Sequence, residues 1–128
     1  MTAVPPDAMT DETHDFRLEE EAFQPRGLLL RAFGELDVAT APALRARLNE
    51  AIDEGVSRVA IDLTAVSFMD SVALAAVVHA KKRLGFGGRM AIAVKPRSYV
   101  LLVLQGSGLT SVLECVDTAD AAVARVSS

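Results

Sequence analysis

Apolar residues fall along this chain in two kinds of pattern. Short runs have the length and composition of strands buried on both faces: Leu28-Leu29-Leu30-Arg31-Ala32-Phe33, Val59-Ala60-Ile61-Asp62-Leu63, Met90 to Val94 and Val112 to Val116. Between them, apolar positions recur at spacings of three and four, the period of a helix with one buried stripe. Leu44, Leu48, Ala51 and Ile52 form the first stripe. With Thr40 as N-cap, Pro42 in the first turn and Gly55 just past the end, they predict a helix from about Ala41 to Glu54. A second helix is expected from Asp70 or Ser71 to Leu84, ended by Gly85, Gly87 and Gly88. A third is expected from a Ser98 cap to Leu104 or Gln105, broken by Gly106 and Gly108. Thr118 caps a fourth, which holds Ala122, Val123 and Val126. Gly34 is expected to stop the first buried strand. Leu18 to Phe23 reads as an edge strand before the Pro25-Arg26-Gly27 turn.

Strands alternating with helices over short connections predict an α/β fold. The expectation is a single domain with a small, mixed, mostly parallel sheet flanked by about four helices. Residues 1–15 are polar, carry two prolines and show no hydrophobic period. They are expected to be a disordered acidic tail, leaving 16–128 as the folded domain.

Composition narrows the function classes. Half of the 128 residues are hydrophobic, enough for one core. The net charge of −4 is unevenly placed: residues 1–24 hold seven acids against one base, Arg17. Neither part has the basic excess of a nucleic-acid binder, so no nucleic-acid partner is expected. No apolar run, Val100–Leu104 among them, is nearly long enough to span a bilayer, and no membrane partner is expected. Cys115 is the one cysteine, which excludes a disulfide within the chain and a cysteine zinc site. Met1–Thr10 lacks the basic and apolar regions of a signal peptide. Together these point to a cytoplasmic protein.

Enzyme signatures are absent. No Gly-x-Ser-x-Gly elbow, phosphate loop or dinucleotide fingerprint occurs, and Gly85-Phe86-Gly87-Gly88 follows a helix, as a C-cap and turn would. His14 and His79 stand in no metal-ligand spacing. No catalytic residue, metal or cofactor is therefore expected, and Cys115 reads as a small core residue. The informative segment is Ser67-Phe68-Met69-Asp70-Ser71-Val72-Ala73-Leu74, where a strand gives way to a helix. In a parallel sheet this is the carboxyl edge, where sites gather. Asp70 or Ser71 occupies the N-cap region. A serine there lies near the surface at the positive end of a helix, and a phosphate on it would carry about −1.5 to −2 charges. His79, seven residues after Val72, shares that residue's helix face, which is expected to be exposed.

At these residues the chain resembles the STAS family, and within it the bacterial anti-sigma-factor antagonists. Four pieces carry the resemblance, in order. They are Gly34-Glu35-Leu36-Asp37 with Thr40-Ala41-Pro42 and Leu44; Ile61-Asp62-Leu63; Phe68-Met69-Asp70-Ser71 with Leu74; and Pro96 through Gly106 to Ser107-Gly108-Leu109. The match spans about residues 26–124. It implies an antagonist that binds an anti-sigma factor which is also a serine kinase. Phosphorylation at Ser71 would release the pair, and a PP2C-type phosphatase would restore it. The partner-binding residues implied are Asp37, Asp70, Ser71, Val72, Ala73, Ala75 and His79.

The chain also departs from the family. The usual Asp-Ser-Ser/Thr-Gly-Leu-Gly is here Asp70-Ser71-Val72-Ala73-Leu74-Ala75, which replaces a hydroxyl by an apolar branched side chain and two glycines by better helix formers. Leu101-Leu102 stands where the family often has basic residues. Val100–Leu104, apolar all round, is expected to present a self-association or partner surface, and so a homodimer contact. Two other readings stand beside the switched antagonist. One is an unswitched interaction or oligomerisation module. The other is a domain binding a nucleotide or lipid, hinted at by Asp37 and the loop edge.

Overall fold

A computed structural model describes residues 16–127; the tail expected at 1–15 lies outside the described residues. Five strands form one sheet in the order β1-β2-β3-β4-β5, with β1 at Arg17–Phe23, β2 at Gly27–Leu36, β3 at Arg58–Met69, β4 at Arg89–Ala93 and β5 at Glu114–Val116. β1 is antiparallel to β2, and every other pairing is parallel. Helix α1 (Ala41–Asp53) joins β2 to β3, α2 (Ser71–Leu84) joins β3 to β4, α3 (Tyr99–Gly106) leads toward β5, and α4 (Ala119–Ser127) closes the described chain. The mixed, mostly parallel sheet and four helices are those expected from the sequence.

Strand order explains which helix covers which face. The parallel strands are laid down one after another in a single direction, so right-handed crossovers put α1, α2 and α3 on the same face. The main core lies there: Leu30, Val59, Ile61, Leu63 and Ile92 of the sheet meet Leu44, Leu48, Val77, Val100 and Leu104 of the helices. α4 returns to the other face. It packs Ala122 and Val126 on Leu29, Ala60, Ala91 and Ala93. The small side chains on this second face let α4 approach the sheet closely.

Several boundaries differ from the sequence reading, each for a reason outside the local pattern. Gly34 does not stop β2, which runs on to Leu36. Gly34 takes φ 99° beside a register shift where Ser67 is the extra residue on β3. β3 does not end near Leu63 but continues to Met69. Its second half is polar in part, and it is held by pairing with the extended β2. β5 begins at Glu114, because Leu109–Ser111 forms a 3-10 turn that leaves Val112 exposed. Helix α3 is not equivalent on all sides. Val100 and Leu104 are buried, whereas Leu102 is 64% exposed.

Candidate functional site

β2 and β3 end side by side. Leu36 pairs with Met69, and the Asp70 N–H donates to the Leu36 carbonyl at 3.0 Å. The loop 37–40 and the start of α2 are thereby held together at the carboxyl edge, the place sites take in parallel sheets.

Asp70 resolves the choice of cap. Its backbone is extended, and its carboxylate accepts hydrogen bonds from Val72 N–H (3.0 Å) and Ala73 N–H (3.1 Å). Two of the helix's open donors are thus satisfied by one side chain. Ser71 becomes the first helical residue. It is exposed, and its hydroxyl has no hydrogen-bond partner among the described residues. Val72 follows, 45% exposed. Ala75 and His79 lie further along α2 and are also exposed, His79 on the face expected for it. Ala73 is a correction. It is fully buried in the main core, since the residue at N3 turns toward the sheet, and it cannot touch a partner.

Asp37 organises the neighbouring loop. Its Oδ1 accepts from Ala39 N–H (2.9 Å) and Thr40 N–H (3.1 Å). Thr40 does not cap α1 with its side chain, as the sequence suggested. Its hydroxyl instead accepts from Asp37 N–H (2.9 Å) and donates to the Glu35 carbonyl (2.7 Å), bracing the loop from within. Desolvation works to raise the Asp37 carboxyl, but hydrogen bonds from Thr40 and Ala39 outweigh it and hold the group below the usual aspartate value. With Asp37 committed inward, Val38 is left 70% exposed at the loop tip.

Sequence reasoning missed Val38, although an apolar residue among Asp, Ala and Thr in a loop is a readable signal. It also missed the ring pair Phe68–Tyr99, stacked with centroids 5.4 Å apart and planes 11° off parallel. That pair joins the residues just before Asp70 to the first turn of α3, and no local pattern announces it. Beside it lies a cleft of about 250 Å³ lined by Thr64, Ser67, Lys95, Ser98 and Tyr99. Among the described residues no group of three or more His, Cys, Asp or Glu is placed to hold a metal. Cys115 is half-buried in β5, and burial pushes its thiol pKa up.

The edge therefore offers a hydroxyl at a helix start with exposed apolar side chains, Val38 and Val72, on the same two segments. The chain belongs to the STAS domain family, whose pattern it matches over residues 20–122. Among solved structures it is similar to an anti-sigma factor antagonist from Mycobacterium paratuberculosis, at 23% identity, with 88% of this chain and 95% of that one covered and a TM-score of 0.80. It is similar to the anti-sigma factor antagonist SpoIIAA in its unphosphorylated form, at 26% identity over 87% and 98% of the two chains, with a TM-score of 0.69. The Bacillus cell fate determinant SpoIIAA in the phosphorylated form matches at 27% identity over 86% and 99%, with a TM-score of 0.67.

Proposed function

We propose that this chain is an anti-sigma-factor antagonist whose carboxyl edge docks on an anti-sigma factor with serine-kinase activity. Phosphorylation of Ser71 ends the contact, and a PP2C-type phosphatase restores it. The observation that carries this reading is the state of Ser71: exposed, unpartnered among the described residues, and set at the first position of a 14-residue helix directly after the capping Asp70. The SpoIIAA relatives support it, one of them described in a phosphorylated form.

The local hydrogen bonds say how such a switch would act. Asp70 already takes the Val72 and Ala73 N–H groups, so a phosphate on Ser71 finds those donors occupied and a like charge beside it. Little is gained within the monomer. At the interface, close to the exposed Val38 and Val72, two added charges must be desolvated against apolar surface, which opposes binding. Partner contact is assigned to Val38, Ser71, Val72, Ala75 and His79, with Asp37 and Asp70 shaping the loops beneath.

The test is incubation with a cognate kinase and ATP, followed by mapping of the phosphate by mass spectrometry. Label on Ser71 is expected. An unlabelled Ser71, with a kinase active on another substrate, overturns the switch. Ser71→Asp is expected to weaken partner binding about tenfold or more, by one buried charge at an interface. A second reading, a self-associating module, is favoured by Leu102 and Tyr99 on the open side of α3. Sedimentation showing a concentration-independent monomer removes it.

A further inference from the structure

The amino edge of the sheet, opposite Ser71, collects cations. Arg26, Arg58 and Arg89 stand at the starts of three neighbouring strands. The Arg26 carbonyl accepts from Ser57 N–H (3.0 Å) and Arg58 N–H (3.2 Å), and the Ser57 carbonyl from Arg89 N–H (2.8 Å). Helix α2 ends at this edge with Lys81, Lys82 and Arg83 in its last turn. α4 ends there too, its Val126 carbonyl accepting from Arg58 at 3.0 Å. The acids that reach this edge are each tied to a cation: Asp53 to Arg83 (2.7 Å), Glu114 to Arg89 (3.4 Å) and Glu54 to Arg47 (3.6 Å). Arg26, Arg58, Lys81 and Lys82 pair with no carboxylate among the described residues. A chain of formal net charge −4 thus carries a local positive surplus at one end.

Cations in a last turn ordinarily offset the helix dipole, and that accounts for Lys81 to Arg83. It does not account for Phe86. The segment Gly85-Phe86-Gly87-Gly88 links α2 to β4 and holds Phe86 wholly exposed. At Gly85 and Gly87 an added Cβ would meet nothing within 4 Å, so the exposed ring stands on an open tip.

The geometry points to peripheral contact between this edge and an anionic lipid surface, with Phe86 entering the interfacial layer and Arg26, Arg58, Lys81 and Lys82 facing the headgroup phosphates. A convex tip bearing one aromatic ring suits a deformable surface, whereas a protein partner would need a pocket cut to fit it. Lys81 and Lys82 lie in the helix turn directly before the tip, and Arg58 is the strand neighbour of Arg89 directly after it. No helix among the described residues is long and apolar enough to cross a membrane, and a peripheral contact needs none. Docking in this sense turns the carboxyl edge outward and leaves Val38, Ser71 and Val72 accessible.

The chain has no tryptophan, so Phe86→Trp places a single indole reporter at the tip. Vesicles of phosphatidylcholine mixed with phosphatidylglycerol are expected to shift its emission to shorter wavelength and to pellet the wild-type chain. Both effects are expected to vanish with phosphatidylcholine alone and to fade at high salt. Lys81→Glu and Lys82→Glu are each expected to weaken vesicle binding about fivefold or more, and Phe86→Ser about tenfold. All three side chains lie outside the core, so unchanged thermal unfolding separates lost binding from lost fold. Emission unmoved by the anionic vesicles, equal pelleting with neutral ones, or pelleting that survives all three substitutions overturns the inference. So does binding to nucleic acid or to an acidic protein without vesicle binding.

Discussion

Asp70 and Ser71 are adjacent, polar and equally suited by type to a helix start, yet they do different things. Asp70 holds the helix and Ser71 holds nothing. Asp70→Ala is therefore expected to lower stability by about 1 kcal/mol, the usual cost of a lost cap, in a denaturant titration. Ser71→Ala is expected to stay within about 0.5 kcal/mol of wild type in the same measurement. Equal losses from the two would reverse the assignment. Asp37 makes a prediction in pH. Its folded pKa lies below its unfolded value, so the stability it contributes is present above the unfolded value and is lost as pH falls through the folded one. Glu20, lowered by its hydrogen bond to Arg47, acts in the same sense. Asp37→Asn is expected to flatten the acid limb of the stability curve below about pH 4, measured by thermal melts across that range. Cys115, with its pKa raised, is expected to react with a thiol reagent more slowly than a free cysteine at neutral pH.

At the scale of elements, what was legible depended on whether the stabilising groups are neighbours in sequence. α2 was readable to within a residue at each end because its polar cap region and its glycine stop are both local. The same holds for the end of α1, where Gly55 takes φ 102° and Val56 N–H closes on the Ala51 carbonyl at 3.0 Å. The second half of β3 was not legible. Thr64, Ala65 and Ser67 break the apolar run, and their extended shape comes from pairing with β2 across two register shifts. Packing of α4 makes a prediction of its own. Ala60, Ala91 and Ala93 are fully buried beneath it, and their lack of bulk sets its distance from the sheet. Ala91→Leu is expected to cost about 1–3 kcal/mol through overpacking, read by chemical denaturation. A neutral result would mean that α4 can lift without loss.

Across the whole molecule, the two ends of the sheet have different characters. The carboxyl edge mixes Asp37, Asp70 and Asp117 with Lys95 and Arg97, whereas the amino edge has a surplus of arginine and lysine. This polarity follows from topology. Each parallel strand begins at one edge and each helix returns to it, and Arg26, Arg58 and Arg89 stand at strand starts while Lys81, Lys82, Arg83 and Arg125 stand in last turns of helices. The sequence by itself determined the elements, their order, the buried runs and the motif around Ser71, because helix caps, turn glycines and apolar periods act between residues a few positions apart. It was silent on the inward commitment of Asp37, the burial of Ala73, the Phe68–Tyr99 stack and the gathering of cations around Phe86. Those were decided only when residues far apart in the chain were brought together by strand pairing and helix packing, whose hydrogen bonds and contacts have no counterpart in local spacing.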